Sequence, residues 1–411
     1  MSTQEEAIAL VKSGKNCYIG GGAGRGKSWV IRQITEKNTV LCGPTGISAL
    51  NIAGITCHRA FGLPLGLPTP EDHTKISAKV KKLLSNKNLK RIIIDEIGMV
   101  RADMLDLIDS RLKLARGNDL PFGGVQVVVV GDFYQLAPIV SGRERALFYE
   151  NYSTAFAFGA ACWDFETVEL EHAYRHANET HVKVLDTLRK GGRWSWRAFE
   201  WLEENTMPYD DAGENLLHLC CYKEDAARIN AQHYAALEAP ERTYKGSTNA
   251  TKWSNDIAVP QLINLKVGAK VIIRANDVEG DYTNGMRGVI KALYATTAVV
   301  TLDEGGEDVT VQEFTWETYT YKPTAKGIEK IVEFVYSQIP LQLGWGITIH
   351  SSQGMTLDGV ALDVGRGCFT HGQFYVAVSR VRNLENLSIV SPIGLRDLIV
   401  DPQVKAFYGD P

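Results

Sequence analysis

The sequence predicts an α/β protein of two domains, each built on a parallel sheet. Three observations carry that prediction. The 411 residues exceed what one hydrophobic core usually organises. Short apolar, β-rich runs recur at Cys17 to Gly20, Thr39 to Cys42, Arg91 to Ile94 and Gln126 to Val130, each leading into a Gly, Pro or Asp turn or a helical segment. Hydrophobic residues make up 45% and charged residues 22%, the balance of a globular chain rather than a disordered or fibrous one.

Those four runs build the first domain, and ligands on such sheets bind beyond the carboxyl ends of the strands. From about Phe61 to Lys90 the rhythm breaks into a Pro/Gly loop and a basic helical stretch carrying Lys79, Lys81, Lys82, Lys87 and Lys90. Its first part reads as a small insertion. A second α/β region starts near Leu170, with strands expected at Leu216 to Cys221, Val360 to Asp363 and Leu387 to Val390. Between its parts, residues from about Leu262 to Pro340 read as short alternating strands with turns at Gly280, Asn284-Gly285 and Gly305-Gly306, which suits a small barrel. No internal repeat and no low-complexity linker separates these parts.

Several classes of protein are excluded. No apolar run approaches the roughly 20 residues that cross a bilayer, and the start MSTQEEAIAL lacks signal-peptide order, so the expectation is a cytosolic or nucleoid-facing protein. Seven cysteines without a CxxC pair read as reduced thiols, and adjacent Cys220 and Cys221 read as structural. The formal net charge of −4 leaves no global electrostatic footprint for nucleic acid, so any such site must be a local channel.

The strongest local signal is Gly21-Gly22-Ala23-Gly24-Arg25-Gly26-Lys27-Ser28, a complete GxxxxGK[ST] between the strand-like CYIG and the helix-like WVIRQI. Its glycines let backbone N–H groups curl around phosphate oxygens, Lys27 neutralises the β and γ phosphates, and Ser28 offers a hydroxyl to Mg²⁺. The apolar strand Arg91 to Ile94 then delivers Asp95 and Glu96. Asp95 suits Mg²⁺, largely through water, and Glu96 suits orienting and deprotonating the attacking water. A third strand, Gln126 to Val130, delivers Gly131 to Gln135, where Gln135 either senses the γ-phosphate or is an ordinary loop amide. Hydrolysis also needs positive charge on the transition state. Arg175 and Arg380 are the candidates, each with a plain surface arginine as the other reading.

Taken together these motifs resemble the Pif1-like helicases, within superfamily one, group B, over nearly the whole chain. The specific blocks are Pro121 to Gln126 running into Gly131 to Leu136, Ile97 to Val100, Leu343 to Gly354 with its tryptophan and TIHSSQG, and Gln373 to Arg380. The resemblance implies two RecA-like P-loop NTPase domains. Residues 1–169 would form domain 1A, with a wedge insertion 1B at about 62–80, and residues 170–411 domain 2A, with an SH3-like insertion 2B at about 262–340. It implies ATP and Mg²⁺ as cofactors. Gln4 would contact adenine; Gly22, Ala23, Gly24, Arg25, Gly26, Lys27, Ser28 and Gly354 would line the nucleotide, with Ser28 and Asp95 on the metal. Arg175 and Arg380 become arginine fingers beside Glu96, Lys27 and Gln135.

The same resemblance assigns Pro44, Thr45, Gly46, Thr56, His58 and Phe61 to a single-strand track in the first domain, and Thr348, His350 and Ser351 to one in the second. Phe61, His58 and Trp345 have rings that can stack on bases, with a core role open for Trp345. Four positions depart from the family pattern: Arg25 stands for Thr, Ser351 for Lys, His176 for Gln and Ala137 for Pro. Arg25 either crowds or clamps the nucleotide; Ser351 removes a phosphate contact.

The activity implied is ATP-dependent unwinding of duplex DNA with 5′-to-3′ movement on single-stranded DNA, serving replication, recombination or repair. The alternative is a DNA-stimulated ATPase subunit that binds or loads on DNA without unwinding, while a P-loop kinase leaves the second half unexplained. Expected partners are single-stranded, tailed or forked DNA and replication or recombination proteins, with RNA a weaker candidate and no membrane. The expected state is a monomer in solution that can pair on DNA, in the nucleoid of a bacterium or phage-infected host. The short flanks around the motifs suit a bare motor.

Overall fold

The computed structural model describes residues 3–64, 66–142, 144–173, 178–209, 216–254, 257, 259–277, 280–303, 305–324 and 327–410, without the side chains of 47 and 319–330. The chain divides into two compact units. The first comprises Met1–Ala177, Thr318–Glu333 and Val400–Pro411, and the second Asn178–Glu317 and Phe334–Ile399.

In the first unit six strands form one sheet: β1 (Cys17–Gly20), β2 (Thr39–Gly43), β3 (Ile55–Thr56), β4 (Arg91–Ile94), β5 (Gln126–Val130) and β6 (Glu166–Glu169). Their order is β3-β2-β4-β5-β1-β6, and every pair is parallel. Strands β1, β2 and β4 are buried along their whole length because both faces are covered. That is why they read as unbroken apolar runs rather than as alternation. Successive residues serve opposite cores: Tyr18, Ile92, Ile94, Val127 and Val129 pack on one face, and Cys17, Ile19, Ile93, Val128 and Val130 on the other. Each such side chain contributes about 1.5–3 kcal/mol on burial.

The stretch after Phe61 is a pair of short helices, Pro70–Thr74 and Ala78–Leu84, started by the capping hydroxyls of Thr69 and Ser77. Lys79, Lys81 and Lys82 lie on the second. Glu333, on the strand Gly327–Gln338, accepts ion pairs from Arg59 and from Lys79.

The last helix, Pro402–Tyr408, corrects the expected boundary, which gave everything after residue 170 to the second domain. Phe407 and Tyr408 find their apolar partners in the first unit, around Tyr18, Phe133 and Trp163. Seven residues cannot hold a helix alone, so the docking site decides where the segment belongs.

The second unit carries a four-stranded parallel sheet in the order Gly346–Thr348, Leu217–Cys220, Val360–Asp363, Leu387–Ile389. The strand Gly346–Thr348 went unseen in the sequence because three residues carry no periodicity. The β-rich part contains a five-stranded antiparallel sheet ordered Asp308–Gln312, Thr297–Leu302, Arg287–Leu293, Lys270–Ile273, Leu341–Leu343. It reaches further than 262–340, since Arg242–Lys245 pairs with Leu262–Leu265 and Ser247–Thr248 with Gly327–Gln338. Gly280, Gly285, Gly305 and Gly306 take positive φ at the expected turns. All seven cysteines are free thiols, with Cys221 Sγ and Cys368 Sγ 3.6 Å apart. No helix among the described residues is long and apolar enough to cross a membrane.

Candidate active site

Parallel pairing places the carboxyl ends of β1, β4 and β5 along one edge of the first sheet, and the three chemical motifs follow those strands directly. After β1 the chain curls through Gly21, Gly24 and Gly26, at φ 148°, 73° and 84°, before the helix Lys27–Ile34 begins. Glycine tolerates those values, and the resulting loop points backbone N–H groups inward. Lys27 Nζ donates to Gly21 O at 2.7 Å and Gly22 O at 3.0 Å. A phosphate oxygen is a stronger acceptor for the same ammonium.

Glu96 follows Asp95 in the left-handed conformation, φ 52° and ψ 46°, a costly state for a side-chain-bearing residue that concentrates at functional sites. The turn directs the Glu96 N–H onto Asp95 Oδ1 at 2.9 Å. Burial, followed by the Glu96 carboxylate, pushes the Asp95 carboxyl up to about 7, against the opposing pull of the Glu96 N–H and Lys27. A divalent cation relieves that repulsion, and a hydroxyl plus a carboxylate is a hard oxygen donor set suited to Mg²⁺.

Two glycines bring the third motif against the second. A Cβ on Gly131 would lie 2.9 Å from Ile97 N, and one on Gly98 would lie 2.9 Å from Asp132 O. The turn after Glu96 and the loop leading to Gln135 therefore touch backbone to backbone. The Gln135 side chain is buried and makes no hydrogen bond among the described residues.

Gln4 is buried against the phosphate loop, with Nε2 donating to Arg25 O at 3.3 Å and Oε1 lacking a partner among the described residues. An orphaned buried acceptor of this kind fits an exocyclic amine such as that of adenine. The Arg25 guanidinium donates to Glu171 O at 2.6 Å and Leu170 O at 3.4 Å, just past β6. The carbonyls at the end of β6 are uncommitted acceptors, and they capture the arginine.

The expected strand-track residues divide. Thr45 and Thr56 cap the helices Gly46–Asn51 and Cys57–Phe61, accepting from Ser48 N at 3.1 Å and Arg59 N at 3.3 Å. Pro44, Gly46 and His58 flank these caps at the carboxyl ends of β2 and β3. Phe61 is fully buried in the core, which corrects its assignment as a base-stacking ring. Trp345 is likewise buried, its ring stacked 5.6 Å from His233, and so takes the core role.

In the second unit Thr348 Oγ1 and Ser351 Oγ lie 2.8 Å apart, and Ser351 is exposed. His350 stacks on Phe369 with centroids 6.2 Å apart, and burial, then Lys223, holds its pKa below the usual value. Phe369 is 52% exposed and was missed in the sequence, where no motif marks it. Arg380 is buried in its own unit, donating to Val376 O, Met355 O and Ser379 Oγ at 2.8, 3.3 and 2.8 Å. That ties it to the segment carrying Gly354, which takes φ 81°. Arg175 and His176 lie outside the described residues.

Known proteins share this arrangement. A family model described as PIF1-like helicase matches residues 2–190. The chain is 32% identical over 422 residues to the ATP-dependent DNA helicase Pif1 of Bdellovibrio bacteriovorus, covering 98% of this chain and 90% of that protein. It is 31% identical over 425 residues to the ATP-dependent DNA helicase PIF1 of Xenopus laevis, covering 99% of this chain and 64% of the other. The chain thus spans just under two thirds of that relative's length. Bacteroides sp Pif1 in complex with ADP-AlF4 matches with a TM-score of 0.89 at 32% identity, covering 100% of this chain and 96% of that one. The Bacteroides helicase in complex with ADP-AlF3 and ssDNA matches at 0.69, with the same identity and coverage. The two parallel sheets are accordingly those of two RecA-like domains. With motif geometry, sequence and fold in agreement along its length, this chain belongs to the PIF1-like helicase family.

Proposed function

We propose that this chain is an ATP-dependent DNA helicase that moves 5′ to 3′ on single-stranded DNA and unwinds duplex DNA. One observation carries the reading: the phosphate loop with Lys27, the Asp95-Glu96 turn and the Gln135 loop converge on a single sheet edge. A relative 32% identical over 98% of this chain is named an ATP-dependent DNA helicase, and a similar Bacteroides helicase is solved in complex with ADP-AlF3 and ssDNA.

The loop N–H groups and Lys27 bind the β and γ phosphates, and Gln4 Oε1 accepts from the adenine amine. Ser28 and Asp95 would hold Mg²⁺, which would supply neutralisation of the phosphate charge. The Glu96 carboxylate accepts a hydrogen bond from the attacking water and takes its proton, leaving the water's lone pair free to attack, while Gln135 hydrogen-bonds the γ-phosphate. By family resemblance Arg175 and Arg380 stabilise the transition-state charge. Thr45, Thr56, His58, Thr348, His350 and Ser351 hold strand phosphates, and the exposed Phe369 ring offers the base stacking that buried Phe61 and Trp345 cannot. Movement follows if ATP binds one domain arrangement more tightly than the other.

The experiment is strand separation on two partial duplexes, one with a 5′ tail and one with a 3′ tail, with ATP and with Glu96→Gln alongside. Unwinding of the 5′-tailed substrate alone, lost in the variant, is expected. DNA-stimulated hydrolysis without separation of either duplex sinks the reading in favour of a loading subunit.

A further inference from the structure

A surface feature of the second unit lies outside every motif used above. The helix Glu179–Lys190 is followed by Gly191 and Gly192, both at positive φ (65° and 127°), and then by Arg193-Trp194-Ser195-Trp196-Arg197 at the start of the helix Ser195–Asn205. The paired glycines turn the chain sharply enough to set these four large side chains on the surface. Trp194 is 49% exposed and Trp196 39%.

The arginines use the tryptophans as platforms. The Arg193 guanidinium sits 4.4 Å from the Trp194 ring, and the Arg197 guanidinium 4.6 Å from the same ring and 5.3 Å from that of Trp196. Three cation–π contacts within five residues is far above the usual density of about one per 70–80 residues. Among the described residues neither guanidinium makes an ion pair or hydrogen bond, although Glu200 lies three positions from Arg197 on the same helix. Guanidinium charge is therefore held in place by stacking while its N–H donors stay open. Stacking on the indoles contributes about 0.5–1 kcal/mol per exposed contact and leaves the outward N–H groups unused.

The chemistry selects the occupant. Planar N–H forks match phosphate oxygens, and exposed indole edges beside them suit bases without reading sequence. Glu200, Glu203 and Glu204 confine the patch to the first turn of the second helix. We propose that Arg193 and Arg197, carried on Trp194 and Trp196, form a phosphate-binding site for single-stranded DNA distinct from the strand-track residues. It rests on the helicase reading only in taking DNA as the polyanion.

The test is equilibrium binding of wild-type protein and Arg193→Ala/Arg197→Ala to fluorescent oligo(dT) across a salt series. Both arginines are exposed, so the variant keeps its fold. Two lost phosphate contacts on a single strand lower the salt slope by about 1.4, so the wild-type advantage shrinks about sevenfold between 50 and 200 mM salt. Trp194→Ala keeps both charges; it weakens binding while leaving the slope near that of wild type. DNA-independent ATP hydrolysis is unchanged in both. A double variant with wild-type slope overturns the proposal and leaves the patch to a protein partner. So does an equal slope change from Lys12→Ala/Lys37→Ala, which removes the same charge elsewhere. Wild-type protein that fails to bind oligo(dT) sinks the helicase reading itself, a different result from either.

Discussion

Tyr408 stacks on Tyr134, with ring centroids 4.9 Å apart and planes 13° from parallel. Its hydroxyl lies 2.5 Å from that of Tyr18 and accepts from Phe133 N at 3.4 Å, while the Tyr134 hydroxyl donates to Asp410 Oδ2 at 2.6 Å. The end of the chain thus braces the loop that presents Gln135. Tyr408→Ala is expected to cost about 2 kcal/mol, less than a fully buried aromatic because the ring is half-buried, and to lower kcat by slackening that loop. Tyr408→Phe keeps the stack and retains most of both. Thermal melting and steady-state hydrolysis check this, and equal losses in the two variants would contradict the stacking account.

The backbone contact between the Glu96 turn and the Gln135 loop depends on Gly131. Gly131→Ala places a methyl 2.9 Å from Ile97 N, closer than such contacts allow, so the loops must part. Overpacking of this kind costs about 1–3 kcal/mol. Hydrolysis should fall further than stability does, measured as kcat at a temperature where the variant is folded.

The Arg25 guanidinium holds the carbonyls of Leu170 and Glu171. Arg25→Thr should lower stability by roughly 1–2 kcal/mol through the lost charged hydrogen bonds, with KM for ATP little changed. A rise in KM beyond tenfold would mean that the side chain does reach the nucleotide.

Phe369 is the exposed ring beside His350. Replacing it with alanine should weaken oligo(dT) binding by roughly 1–3 kcal/mol, the worth of one stacked base, with basal hydrolysis intact. Trp345→Phe, at a buried site, should instead move the melting temperature and leave strand affinity unchanged.

His218 lies buried in the second sheet, its Nδ1 without a hydrogen-bond partner among the described residues. Burial, reinforced by His233, Arg287 and Lys270 and opposed by Asp363, holds its pKa below the usual imidazole value. The unfolded chain therefore takes up the proton first as pH falls. The stability this neutral imidazole contributes is complete above about 6.5 and is lost progressively below it. Melting temperature measured from pH 8 to pH 5 should decline, and His218→Gln should flatten that decline.

What could be read from the chain alone was what short-range pattern encodes. The runs Cys17 to Gly20, Arg91 to Ile94 and Gln126 to Val130 were legible as parallel strands because burial on both faces makes them continuously apolar. The phosphate loop and the acid pair were legible because their chemistry needs fixed spacing next to a strand end. Position along the chain was enough to place Lys27, Asp95, Glu96 and Gln135 on one edge.

Tertiary structure decided what depends on neighbours remote in sequence. Phe61 and Trp345 look like stacking rings until the cores that enclose them are assembled. Arg25 could turn toward a phosphate or away, and only the carbonyls of Leu170 and Glu171, some 145 positions on, settle its direction. Helix Pro402–Tyr408 belongs to the first unit because aromatic partners await it there. Local sequence carries conformational preference, but the burial of a ring or the capture of a charge is a property of the packed chain.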